Sequence, residues 1–116
     1  MERQEELERV EQFAEEALRG LPEPLRSAAQ EILVTVSHEP GVDLYGEFYG
    51  LPKGAESGLG EPPPEVTIYA ATLLADFPDE EALRREVRRT LIHEIGHYLG
   101  LSEEDLHARG SARFHG

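Results

Sequence analysis

The sequence contains no cysteine, no tryptophan and no asparagine, and its only methionine is Met1. Without cysteine, neither disulfide bonds nor thiolate metal sites can form, so any metal site must be built from histidine and carboxylate side chains. The sequence also lacks a hydrophobic run long enough to cross a membrane, and its N-terminus lacks the apolar segment of a secretion signal. We therefore expect a cytoplasmic protein with no membrane partner.

Basic side chains are scarce as well. Eleven lysine and arginine residues face 24 aspartate and glutamate residues, which gives a formal net charge of -13 at pH 7. A surface of this sign repels phosphate backbones, and the charge therefore argues against a nucleic-acid partner. Ten of the basic residues are arginine, and with 20 glutamates and eight prolines this composition is typical of heat-resistant proteins. We hypothesise a thermophilic source.

The length of 116 residues, 39% of them hydrophobic, suits a single domain that spans residues 1–116. From Glu2 to Arg19 apolar residues recur at spacings of three and four, and Gly20 follows, which predicts an amphipathic helix. Further along the chain, the patterns predict a short helix at 25–30, strands at 31–37, 44–50 and 65–71, and a loop rich in glycine and proline at 51–64. Because proline cannot lie inside a central strand and Pro62–Pro64 precede the third strand, we place that strand at an edge of the sheet.

The longest helix is predicted to begin after Asp79, which can act as its N-cap, and to end at Leu99 before Gly100. At 100° per residue, one broad arc of this helix is apolar and faces the core. The members of that arc are Leu83, Val87, Leu91, Ile95 and Leu99. His93 and His97 fall on a neighbouring sector, so this sector is where we expect the chemistry.

This helix carries the segment His93-Glu94-Ile95-Gly96-His97. Two histidines at i and i+4 lie one above the other on a helix, close enough for both imidazoles to bind one metal ion. Glu94 is rotated by about 100° from His93, so its carboxylate reaches a water beside the metal rather than the metal itself. This is the H-E-x-x-H pattern of zinc hydrolases, and roughly 0.04 such matches are expected by chance in a chain of this composition.

A catalytic zinc site needs a third protein ligand and one open position. Gly100 tolerates the left-handed backbone that turns the chain back toward the two histidines, and the residue that then arrives is Glu103. Glu103 is our preferred third ligand, with Asp105 and His107 as alternatives. The acidic run around Glu103 is also typical of a capped start of a short helix.

The motif that runs from His93 through His97 and Gly100 to Glu103, together with the preceding strand and a Tyr/Gly segment at 44–52, resembles the short bacterial zincin-like metallopeptidases. The resemblance covers Glu31 to Leu106 and implies an α+β, minimal metzincin-like domain: a small mixed sheet, a backing N-terminal helix and a long active-site helix. Larger metzincins usually have histidine where Glu103 stands. They also have a Met-turn beneath the metal, which this chain lacks because it has no internal methionine.

The resulting hypothesis is a zinc-dependent peptidase of peptide or protein substrates, in which Zn²⁺ bound by His93, His97 and Glu103 activates water and Glu94 is the general base. An edge strand at Val66–Ala71 could hold an extended substrate by adding it to the sheet. Tyr45, Tyr49 and Tyr69 could offer a hydroxyl to an oxyanion, although aromatic residues in such positions are mostly packing residues. The sequence indicates no oligomeric state.

Two alternatives belong to other functional classes. One is a non-catalytic metal-binding domain that keeps the zincin fold. The other is a metal-dependent endoribonuclease, because an rRNA-processing family has a similar helix with three histidines. Glu94, which that family's motif lacks, and the charge of -13 both argue against the ribonuclease.

Overall fold

The computed structural model describes residues 2–102 and 104. This part of the chain forms four helices and three strands in an α+β arrangement. In chain order they are α1 (Glu2–Arg19), α2 (Leu25–Ala29), β1 (Leu33–Ser37), β2 (Gly46–Tyr49), β3 (Glu65–Tyr69), α3 (Ala70–Asp76) and α4 (Glu80–Leu99). None of the described helices is both long enough and apolar enough to cross a membrane.

The three strands form one mixed sheet in the order β1-β3-β2. β3 pairs in parallel with β1 and antiparallel with β2, so it is the central strand. Our prediction that Val66–Ala71 forms an edge strand is therefore wrong. The prolines end at Pro64, before the strand begins, and leave every backbone N–H of β3 in place. Pro64 even contributes to the pairing, because its carbonyl accepts a hydrogen bond from the Leu33 N–H at 3.0 Å.

The third predicted strand is also too long. Strand β3 ends at Tyr69, and the chain turns directly into α3, a helix that the sequence patterns did not predict. Ala70 and Leu73 of α3 are completely buried. A short apolar run has no period that separates a buried strand from a buried helix, which explains the error.

The hydrophobic core is one contiguous cluster between the inner face of the sheet and the long helices α1 and α4. Val66 and Ile68 supply the inner face of β3 and are completely buried, while Val34, Val36 and Phe48 pack around them from the neighbouring strands. Leu83, Val87, Leu91 and Ile95 of α4 are buried as the apolar arc predicted, and Leu99 is half-buried. The helix α1 backs this core with Leu7, Val10, Phe13, Ala14 and Ala17.

Both ends of α4 are as the sequence predicts. The Asp79 carboxylate accepts a hydrogen bond from the Ala82 N–H at 3.0 Å and so caps the first turn. At the other end Gly100 adopts φ 73°, and the Leu101 N–H donates to the Gly96 carbonyl at 2.9 Å. A left-handed residue with this hydrogen bond reverses the chain direction at the end of a helix.

Arg84 joins the two long helices. Its guanidinium lies 3.3 Å from the Glu16 carboxylate of α1 and 4.6 Å above the ring of Phe13. On its own helix, Arg84 also pairs with Glu80 and Glu81. The charged network therefore covers the rim of the α1–α4 contact.

Candidate metal centre

The two histidines of α4 meet at their ring nitrogens. The Nε2 atoms of His93 and His97 are 3.0 Å apart, and their rings are perpendicular with centroids 4.5 Å apart. Two nitrogen ligands of one tetrahedral zinc ion lie about 3.3 Å apart, because each Zn–N bond is about 2.0–2.1 Å long. Small side-chain adjustments are therefore enough for both Nε2 atoms to bind one ion.

Glu94 completes a cluster with the two histidines. One ligand atom from each of His93, Glu94 and His97 lies within 4.8 Å of the others. Glu94 is only 8% exposed, whereas His97 is exposed and His93 is half-buried. The cluster thus combines a protected carboxylate with imidazoles that solvent can reach, and its donor types suit Zn²⁺.

Strand β2 lies close to α4 next to the Glu94 carboxylate. A Cβ atom placed on Gly46 would lie 2.5 Å from the Thr90 methyl carbon, 3.1 Å from the Thr67 carbonyl oxygen and 3.4 Å from Cγ of Glu94. Only glycine allows the strand to lie this close to the helix. We did not predict Gly46 as a site residue, although a glycine inside a predicted strand is a signal for such a contact.

A second network holds the loop after β2 against the last turn of α4. The Lys53 N–H donates to the carbonyl of Tyr98 at 2.7 Å, next to His97 in the chain. The Lys53 ammonium and the Tyr98 hydroxyl both bind the Glu31 carboxylate, at 2.7 and 2.7 Å. The hydrogen bonds from Lys53 and then from Tyr98 lower the pKa of Glu31, and the bond to Glu31 raises the pKa of Tyr98 to about 12.

The third ligand stays a prediction. Glu103 and its alternatives, Asp105 and His107, lie outside the described residues. The left-handed turn at Gly100, on which the prediction of Glu103 depends, is present.

The tyrosines considered as oxyanion donors have other partners. The Tyr45 hydroxyl donates to Asp76 at 2.6 Å, and the Tyr69 hydroxyl donates to Glu47 at 2.7 Å. These bonds raise the pKa of Tyr45 and raise that of Tyr69 to about 12. Tyr49 is 63% exposed. The interpretation of Tyr45 and Tyr69 as structural residues is consistent with these contacts.

The fold and the cluster together define a class of protein: a small α+β domain in which a long helix presents a His-Glu-His set for a divalent metal. A family model of zincin-like metallopeptidases matches residues 23–112. The chain therefore belongs to the zincin-like metallopeptidase family. No curated protein matches it. A conserved hypothetical protein from Thermus thermophilus has a similar fold, with a TM-score of 0.55 and 24% identity over 80% of this chain and 92% of that one.

Proposed function

We propose that this chain is a zinc-dependent peptidase in which His93 and His97 hold the metal and Glu94 is the general base. The observation that carries the proposal is the cluster on α4, where two imidazole Nε2 atoms 3.0 Å apart lie beside a buried carboxylate. Membership of the zincin-like family supports the same assignment. Glu103 is proposed as the third ligand, since Gly100 reverses the chain just before it.

When bound, a zinc ion supplies a Lewis acid that acidifies water and polarises a carbonyl group. Glu94 has the complementary task, because its carboxylate can accept a proton from water and pass it to the amine that leaves. Burial beside Gly46 keeps this carboxylate in one place and away from bulk water. A positioned general base of this kind contributes about 10²–10⁴-fold to the rate.

The proposed substrate is an extended peptide that adds to the outer edge of β2. Among the described residues, β2 pairs only with β3, so its other edge has no partner strand. The same strand contacts α4 at Thr90 and Glu94 through Gly46, which brings a bound peptide next to the cluster. This assignment replaces the peptide-binding role that we expected for β3.

Metal binding is tested by elemental analysis and by calorimetric zinc titration of the wild type and of His97→Ala. We expect one zinc ion per chain in the wild type and at least a hundredfold weaker binding in the variant, since one of three protein ligands is lost. Equal zinc affinity in the two proteins would contradict the ligand assignment.

Catalysis is tested by Glu94→Gln on a peptide library. We expect this variant to keep its zinc and to lose about 10²–10⁴-fold in kcat/KM. Glu81→Gln is the matched control, because Glu81 is an exposed carboxylate in the first turn of the same helix and lies far from the cluster. If the wild type binds zinc but cleaves no peptide, the chain is a non-catalytic metal-binding member of the family.

A further inference from the structure

The other edge of the sheet is formed by β1, on the opposite side from β2. Its only partner among the described strands is β3. The Leu33 N–H bonds to Pro64, so Leu33, Thr35 and Ser37 direct their backbone groups toward β3. Since alternate residues of a parallel ladder face opposite sides, the N–H and C=O groups of Val34 and Val36 point to the open edge. This edge offers two donors and two acceptors.

A groove of about 400 Å³ lies along this edge, between β1 and α1. Its walls combine apolar side chains with two carboxylates. The lining residues are Glu11, Ala14, Glu15 and Leu18 of α1 and Val34, Thr35 and Val36 of β1. Among the side chains that the structure describes, no lysine or arginine lines the groove.

The two carboxylates of the groove favour a ligand with positive charge. Glu11 and Glu15 are exposed carboxylates on a chain of net charge -13. A second copy of this chain would bring the same carboxylates to the shared edge, and like charges that face each other oppose pairing. An incoming strand with basic side chains avoids this repulsion, and at Glu11 it would share the carboxylate with His38, whose Nε2 lies 4.0 Å away.

We propose that the groove between α1 and the outer edge of β1 binds an extended, basic peptide segment of a protein partner. The segment pairs with the backbone of Val34 and Val36 and extends the sheet to four strands. Its arginine or lysine side chains lay their methylene stems on Leu18 and place their charged ends at Glu11 and Glu15. This site lies at the opposite edge of the sheet from the proposed substrate strand, so it is independent of the proposed peptidase function.

Fluorescence anisotropy with labelled nine-residue probes tests the proposal. The first probe alternates arginine and valine, and a second has glutamate in place of arginine. Two further arginine probes carry N-methyl groups, on every valine in one and on every arginine in the other. We expect the arginine probe to bind and the glutamate probe to bind at least tenfold more weakly. One N-methylated probe must also lose binding, because its methyl groups occupy the amides that pair with β1.

Two double variants locate the binding site. We expect Glu11→Gln with Glu15→Gln to weaken binding about tenfold at low salt, and less at high salt where surface ion pairs are screened. The control is Glu5→Gln with Glu6→Gln, which removes the same charge from exposed positions of α1 outside the groove. Binding must be unchanged in this control and in His93→Ala with His97→Ala, so failure of the metal site leaves the result intact.

Three results would overturn the proposal. The two double variants of α1 could weaken binding equally, which would indicate a general charge effect. Both N-methylated probes could bind as well as the parent probe, which would exclude backbone pairing. Sedimentation could show a dimer that the arginine probe does not dissociate, which would make a second copy the occupant of the edge.

Discussion

Gly46 is the residue at which β2 comes closest to α4. Substitution by alanine places a methyl group 2.5 Å from the Thr90 methyl carbon and 3.1 Å from a backbone oxygen, so either the strand or the helix must shift. We expect Gly46→Ala to lower the free energy of unfolding by about 1–3 kcal/mol, the usual cost of overpacking. A shift of this kind also displaces Glu94 from its position, so kcat should fall further than the loss of stability explains.

The contact between Gly46 and Thr90 can also be tested from the side of Thr90. Thr90→Ser removes the methyl group that Gly46→Ala would strike and keeps the hydroxyl that binds the Glu86 carbonyl at 2.8 Å. Urea unfolding of both single variants and the double variant should show that the alanine costs less stability in the serine background. If the losses of stability in the two single variants simply add up in the double variant, the Thr90 methyl group is not what makes alanine unfavourable at position 46.

Half-buried Tyr69 and buried Tyr98 are expected to make the stability of the fold depend on pH. The pKa of Tyr69 is raised to about 12 by its bond to Glu47, and that of Tyr98 to about 12 by its bond to Glu31. The folded protein holds these protons more tightly than the unfolded chain, in which tyrosine has a pKa of about 10. The stabilisation is therefore complete below pH 10 and is lost as the pH rises to about 12.

Urea unfolding at pH 9 and pH 11.5 tests this dependence. The wild type should lose more stability between the two values than a variant that carries both Tyr69→Phe and Tyr98→Phe. Tyr49→Phe is the control, since the Tyr49 side chain is 63% exposed. An equal alkaline loss in all three proteins would rule out these two hydroxyl–carboxylate bonds as its cause.

At the scale of elements, α4 was predictable because its signals are local. Asp79, the apolar arc and Gly100 all lie within the helix or next to it, and the observed helix has the predicted bounds. The place of β3 in the sheet was not predictable from its own sequence, because the order of strands depends on partners in β1 and β2, which are distant in the sequence. The hydrogen bond from Tyr98 to Glu31 joins residues 67 positions apart, so no short sequence motif predicts it.

The residue that follows the end of α4, Gly100, has a left-handed backbone conformation. Its φ of 73° is unfavourable for residues with a Cβ atom, although open space surrounds it. Gly100→Ala should therefore destabilise the protein by about 1 kcal/mol, and Gly100→Asn by less, because asparagine tolerates the left-handed region. Zinc titration should show weaker binding for the alanine variant, since Glu103, the proposed third ligand, follows this turn in the sequence. Unchanged zinc affinity would argue against Glu103 as a ligand.

For the molecule as a whole, charge and composition predict resistance to heat. The ion-pair network of Arg84 with Glu16, Glu80 and Glu81 links α1 with α4, and the labile residue types asparagine and cysteine are absent. We expect a thermal midpoint above about 65 °C, the upper end of the mesophilic range. A midpoint inside that range would contradict the hypothesis of a thermophilic source.

Arg84 itself can be tested in the same melting experiment. Arg84→Met should lower the midpoint by roughly 4 °C, which corresponds to about 1 kcal/mol for the lost ion pairs and the cation–π contact with Phe13. Arg85→Met is the control, because Arg85 is the exposed neighbour on the same helix. Equal midpoints for the two variants would show that the network adds no stability.

Lys53 is the only lysine in the sequence, and it lies in the loop that is bonded to Glu31 and to the last turn of α4. A lysine-specific protease therefore has a single bond to cut, after which the chain consists of residues 1–53 and 54–116. The loop is exposed, but the bond from the Lys53 N–H to the Tyr98 carbonyl holds its backbone to the helix end that carries His97, so we expect faster cleavage when that bond is broken. The rate of this one cleavage is thus an unlabelled reporter of how often the loop leaves that end of α4.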